Sequence, residues 1–114
     1  MKLQYKYHFR PGYKSDKLLI EFFAGTEQAE FHTDFFEAIK DLHPEIISSE
    51  DLWMNDEINH TIKTDYGNVS LAQDIWDFCF ITADDNQAAL NQINKLLVAD
   101  ERFLKVDIDF DKYK

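Results

Sequence analysis

Leu3, Tyr5, Tyr7 and Phe9 alternate with Lys2, Gln4, Lys6, His8 and Arg10, and this period of two predicts a strand buried on one face. Pro11-Gly12 marks the turn that follows. Residues 17–23 read as a second strand. Leu18, Ile20 and Phe22 share one side, and Leu19 and Phe23 flank Glu21 on the other, so both faces carry apolar groups. After Gly25-Thr26 the period changes to that of a helix. Phe31, Phe35, Ala38 and Leu42, with Ile39 beside them, form its core stripe. The helix stops before His43-Pro44, because the residue preceding proline avoids the helical region. Residues 46–56 read as a polar connection holding Leu52, Trp53 and Met54.

Strand alternation returns over residues 57–64, with Ile58, His60 and Ile62 on one side. Asp65-Tyr66-Gly67-Asn68 is the hairpin turn, Gly67 supplying positive φ. Pairing Thr64 with Val69 sets Ile62 against Leu71, His60 against Gln73 and Ile58 against Ile75. A long strand from Val69 to Thr82 then leaves Trp76, Phe78 and Phe80 on the opposite side. Either both of its faces are covered or a bulge near residues 72–74 switches them. Asp84 and Asp85 are N-caps for a second helix over residues 86–99, whose stripe is Ala89, Leu90, Ile93 and Leu97. Leu104, Val106, Ile108 and Phe110 alternate with Lys105, Asp107, Asp109 and Asp111 in a last strand.

From residue 17 the order is strand, helix, strand, strand, helix, strand. This is the βαββαβ order of a ferredoxin-like two-layer plait. The expected fold is therefore α+β: an antiparallel sheet of four to five strands, an extra N-terminal strand included, with two helices on one face. A chain of 114 residues with 45% hydrophobic side chains fills one such domain, residues 1–114, without help from disulfides or metal.

Charge narrows the function classes. Net charge is −10, a sign that repels phosphate backbones, so neither nucleic acid nor an anionic membrane is an expected partner. The distribution is uneven. Residues 1–17 carry Lys2, Lys6, Arg10, Lys14 and Lys17 against Asp16 alone, so this strip is +4 and the remainder −14. The first residues form no apolar leader and no run is long enough to span a membrane, so a soluble cytoplasmic protein is expected. Only three glycines occur, Gly12, Gly25 and Gly67, and no phosphate-cradling loop or nucleophile elbow can be assembled from them. No cofactor is expected.

The acids of the first helix stand out. Glu27, Glu30, Asp34, Glu37 and Asp41 recur at intervals of three and four, which places them on one arc about 100° from the core stripe. Glu30/Asp34 and Glu37/Asp41 are like-charge pairs at i,i+4, each costing roughly 0.2–0.5 kcal/mol. Only Lys40 lies at relieving distance along the helix. Such an arc is either a solvated face or a surface shaped for a basic protein partner. The expected function is a non-catalytic interaction module with these five acids as its partner-binding residues.

The alternative is a small-molecule-binding protein or cofactor-free enzyme with a pocket on the sheet. His60 between Ile58 and Ile62 faces inward beside Gln73, and the two are its candidate catalytic or ligand-orienting groups. Trp53 and Trp76 are candidates for its lining, although aromatics at strand spacing also fill cores. A hydrogen-bonded structural histidine is the competing reading. Cys79, the single cysteine, excludes an internal disulfide and sits between Phe78 and Phe80 with no base nearby, as an inert core thiol does. Asp107, Asp109 and Asp111 resemble the start of a calcium loop, but Lys112 stands where glycine is needed, so no metal site is expected. Leu19, Phe23, Trp76, Phe78 and Phe80, on the face away from the helices, also fit a homodimer interface.

Overall fold

The computed structural model describes residues 5–11, 17–26, 28, 30–52, 57–74, 78–83 and 86–106. The strands are β1 (Tyr5–Pro11), β2 (Leu18–Ala24), β3 (Glu45–Leu52), β4 (Glu57–Thr64), β5 (Gly67–Asp74), β6 (Cys79–Thr82) and β7 (Phe103–Lys105). Helix α1 (Phe31–Ala38) and a 3-10 turn at Lys40–Leu42 join β2 to β3, and α2 (Gln87–Ala99) joins β6 to β7. The strands form one seven-stranded sheet in the order β3-β4-β5-β6-β2-β1-β7. Every neighbouring pair is antiparallel except β1 and β7.

This α+β sheet is not the ferredoxin-like plait of four to five strands, and two segments account for the difference. The pattern reads residues 46–56 as a connection, yet Glu45–Leu52 is the edge strand β3, paired antiparallel with β4. All its side chains from Glu45 to Asp51 are exposed, so it has no apolar alternation to betray it. The expected long strand over residues 69–82 is folded back on itself as β5 and β6. Ser70 faces Thr82, Leu71 faces Ile81 and Gln73 faces Cys79. Asp74 closes this reversal: its N–H donates to the Phe78 carbonyl at 3.1 Å, and its Oδ1 accepts the Phe78 N–H at 3.0 Å.

The β4–β5 register also differs from the expected one by two residues. Thr64 pairs with Gly67, Ile62 with Val69, His60 with Leu71 and Ile58 with Gln73. The loop is tighter than a four-residue turn because Gly67 adopts φ +110°, and because Thr64 Oγ1 donates to the Gly67 carbonyl and accepts the Tyr66 N–H. A shift of two preserves the faces, so His60 and Gln73 still lie on the same side, now diagonal to one another.

One face of the sheet carries both helices. Ala89, Leu90, Ile93 and Leu97 of α2 are buried as their spacing predicts, as are Phe31 and Phe35 of α1. They meet Tyr5, Tyr7, Ile20, Phe22, Leu71, Cys79, Ile81 and Phe103 in a single core. Phe22 is its hub, with ring centroids 5.1 Å from Phe31, 5.7 Å from Phe35, 5.8 Å from Tyr7 and 5.9 Å from Phe103. Burying a phenylalanine contributes roughly 1.5–3 kcal/mol, and favourable ring pairs about 0.5–1.5 kcal/mol more. That contribution holds α1 in place, since eight residues are too few for a helix to persist alone. Its C-terminal end relaxes into the 3-10 turn, which stops at His43 in the left-handed region (φ 53°). The one helix expected up to Leu42 is thus two shorter pieces.

The final strand is also offset. Phe103 is buried and Leu104 exposed, the reverse of the expected alternation. Among the described residues, no helix is long and apolar enough to cross a membrane.

Candidate functional site

Helix α1 presents only part of the expected acidic arc to solvent. Glu27 lies outside the described residues. Glu30 and Asp41 are exposed, the latter on the 3-10 turn. Asp34 instead turns toward β1: its Oδ2 accepts the Tyr5 hydroxyl at 2.6 Å and its Oδ1 accepts an Arg102 N–H at 3.1 Å. Glu37 Oε1 lies 3.3 Å from the same Arg102 nitrogen but remains 60% exposed.

Arg102 is the organiser of this corner. It sits in the turn between α2 and β7, and its fork donates to Asp100 at 3.0 and 2.6 Å. That hydrogen bond holds the Asp100 carboxyl below its ordinary range, and the same contact raises the guanidinium. Burial, reinforced by the bond to Asp34, raises the Tyr5 phenol and keeps it a donor. The relief that α1 lacks along its own length therefore arrives from 68 residues away. Nothing in the local sequence signals this.

The exposed Glu37 of α1 shares a groove with β3. The groove, lined by Phe36, Glu37, Lys40, His43, Pro44 and Ile46, joins the helix, the 3-10 turn and the strand. Beyond it Glu45, Glu50 and Asp51 are exposed, as are Ile46 (46%) and Ile47 (49%). The pairing register slips between Ile46 and Ser48, leaving Ile47 as a bulge. His43 Nδ1 lies 2.6 Å from Asp65 Oδ2, and this bond raises the imidazole.

A second constellation surrounds His60. The Ser49 hydroxyl lies 2.7 Å from His60 Nδ1, and His32 Nε2–H donates to Gln73 Oε1 at 2.9 Å. The two imidazoles face edge to face at a centroid separation of 6.2 Å. Burial, then the neighbouring His32, lowers the His60 pKa, favouring the neutral ring. Gln73 is thus the partner of His32 on α1, not of His60. The arrangement can orient a ligand or move a proton, but the Ser49 hydroxyl stands on an exposed edge. Trp53 and Trp76 lie outside the described residues. Cys79 is buried, and burial raises its thiol pKa and leaves it un-ionised.

Among the described residues no three His, Cys, Asp or Glu side chains converge as metal ligands do. Residues 107–114, with the aspartates of the calcium-like run, are outside the described residues. On the sheet face away from the helices Leu19, Phe23 and Phe80 are half-buried, with His8 stacked on Phe23 at 4.3 Å. No protein-family profile matches the chain, and neither the curated proteins nor the solved structures contain a significant match to it.

Proposed function

We propose that the protein is a non-catalytic interaction module that recognises a basic protein partner through the acidic face of α1 and its continuation along β3. One observation carries this reading: Glu37 of α1 and Ile46 of β3 line one groove, and further exposed acids lie along both elements. Glu30, Glu37 and Asp41 lie along the helix and turn, and Glu45, Ile46, Ile47, Glu50 and Asp51 lie on the strand. An apolar centre rimmed by a single sign of charge is the composition of a docking patch, with the charges steering encounter and excluding wrong partners. Asp34 is removed from the partner-binding set, because its oxygens serve Tyr5 and Arg102.

The test is titration of the isotopically labelled protein with an arginine- and lysine-rich peptide, read by NMR. Shifts concentrated on α1, the 3-10 turn and β3, weakened by added salt and by Glu30→Gln with Asp41→Asn, support the reading. Salt-independent shifts on another surface defeat it.

The paired hydrogen bonds Ser49–His60 and His32–Gln73 favour a second reading, a small-molecule site on the sheet. Side-chain imidazole resonances of His32 and His60 report on it directly. Their indifference to a fragment collection removes this alternative.

A further inference from the structure

The outer edge of β3 pairs with no described strand, since β3 ends the sheet. Edge strands expose a row of N–H and C=O groups, and proteins blunt them with proline, lysine, shortness or a covering element. None of these protects residues 45–51. The strand runs for eight residues, has no proline or lysine, and carries Ile46 and Ile47 in solvent. Beyond the bulge at Ile47, its remaining defence is negative charge. Glu45, Glu50 and Asp51 make no ion pair among the described residues.

That defence is selective. A second copy pairing antiparallel about Ser48 and Ser49 sets Ile47 against Glu50 and Ile46 against Asp51 and crowds six acids into one ribbon, which disfavours self-association. A strand bearing lysine or arginine meets the opposite situation. The in-register partners of β3 place Ser49 beside His60 on the helix-bearing face, and Ser48 and Glu50 beside Thr61 and Asn59 on the other. Asp51 therefore lies on the helix-bearing face and Glu50 on the opposite one, so an added strand finds a carboxylate on each side.

We propose that β3 is a strand-addition site whose occupant is an extended basic segment of a partner protein, extending the sheet by main-chain hydrogen bonds and covering Ile46 and Ile47. This inference rests on the acidic-module reading and specifies how the partner is held.

The test uses the full chain and a synthetic peptide of alternating lysine and valine. One control peptide has alternate backbone amides methylated, and another has glutamate in place of lysine. Strand addition slows hydrogen exchange at the outward amides of β3 by about tenfold or more. It also requires that amide methylation weaken binding by at least about tenfold, and that the glutamate peptide not bind.

Equal binding of the methylated peptide, with shifts on Glu30, Glu37 and Asp41 and none on β3, overturns strand addition while leaving charge-led docking intact. Absence of binding by every peptide overturns both. Salt-insensitive binding of the glutamate peptide to β3 overturns the charge argument and with it the named occupant.

Discussion

Replacing Arg102 by methionine keeps an apolar stem in the α2–β7 turn and deletes the charge that Asp34, Glu37 and Asp100 share. The largest loss falls on Asp34. Its side chain is 18% exposed and that of Arg102 is 22% exposed, so neither carboxylate nor guanidinium is well screened. A hydrogen bond to a charged group in this setting contributes about 1.5–3 kcal/mol. Asp100 lies only two residues from Arg102, so part of their contact persists in the unfolded chain and adds less. The exposed Glu37 contact adds about 0–1 kcal/mol. The expected destabilisation is therefore about 2–3 kcal/mol. With a urea dependence of about 1–3 kcal/mol per molar, the unfolding midpoint falls by about 0.7–3 M. Asp34→Asn keeps an acceptor for the Tyr5 hydroxyl and removes the charge, so the Arg102→Met/Asp34→Asn double-mutant cycle isolates their coupling, expected at about 1–2 kcal/mol. A midpoint within experimental scatter of wild type, with no coupling, refutes the reasoning and returns Asp34 to the free surface.

Three further perturbations probe other parts of the structure. Phe22→Ala empties the centre of the aromatic cluster, where the ring is fully buried, and is expected to cost about 3–5 kcal/mol by thermal or urea unfolding; a loss below about 1 kcal/mol contradicts the assigned hub. Gly67→Ala forces a side chain onto φ +110°, where its Cβ falls 2.8 Å from Asn86 Nδ2. The strain and the displaced Asn86–Asn68 bond are expected to destabilise by about 1–3 kcal/mol, and an unchanged midpoint rejects the turn geometry. The folded-state pKa of His60 lies below its unfolded value, so the native state binds fewer protons. Its contribution to stability is fully present above the ordinary imidazole pKa of about 6.5 and is lost as pH falls through the lowered value. Unfolding midpoints of wild type and His60→Asn, compared from neutral to acidic pH, are expected to converge on acidification; parallel curves reject that assignment.

The parts of the fold that were legible from sequence are those with one wet side and one dry one. Ala89, Leu90, Ile93 and Leu97 repeat at helical spacing because only that stripe of α2 meets the core. Tyr5 and Tyr7 alternate with exposed or half-exposed neighbours for the same reason. Strand β3 was illegible because an edge strand wet on both sides has no period. The β5–β6 reversal was illegible because residues 74–78 contain neither glycine nor proline, leaving an apparently continuous run. At the candidate sites His60 was legible as an inward polar group, but its neighbours were not. The alternation alone sets Gln73 across the hairpin from His60 through a loop two residues longer than the real one, and His32 reaches it from a helix whose placement no local pattern states. The Asp34–Arg102 contact depends on the chain closing between α1 and β7 and left no local mark.

The consequence is a change in which charges remain at the surface. Arg10 takes up Glu21 on the open face of the sheet, and Arg102 takes up Asp34 and Asp100. What stays exposed is Glu30, Glu37 and Asp41 on the helix and turn and Glu45, Glu50 and Asp51 on β3, with Glu37 and Lys40 lining the groove. Rim charges of this kind contribute about 0–1 kcal/mol per pair, too little for a lasting complex but enough to accelerate encounter. Ile46 and Ile47 are each roughly half exposed, and covering that remainder contributes about 1 kcal/mol apiece before any main-chain bonds form. The two sets should therefore separate kinetically. Against an immobilised lysine–valine peptide, Glu50→Gln with Asp51→Asn is expected to slow association and flatten its salt dependence, leaving dissociation nearly unchanged. Ile47→Ser is expected to speed dissociation with association unaltered. If the charge substitutions instead govern dissociation, the carboxylates are desolvated in the complex and belong to the centre of the interface, and the division between steering rim and binding centre is wrong.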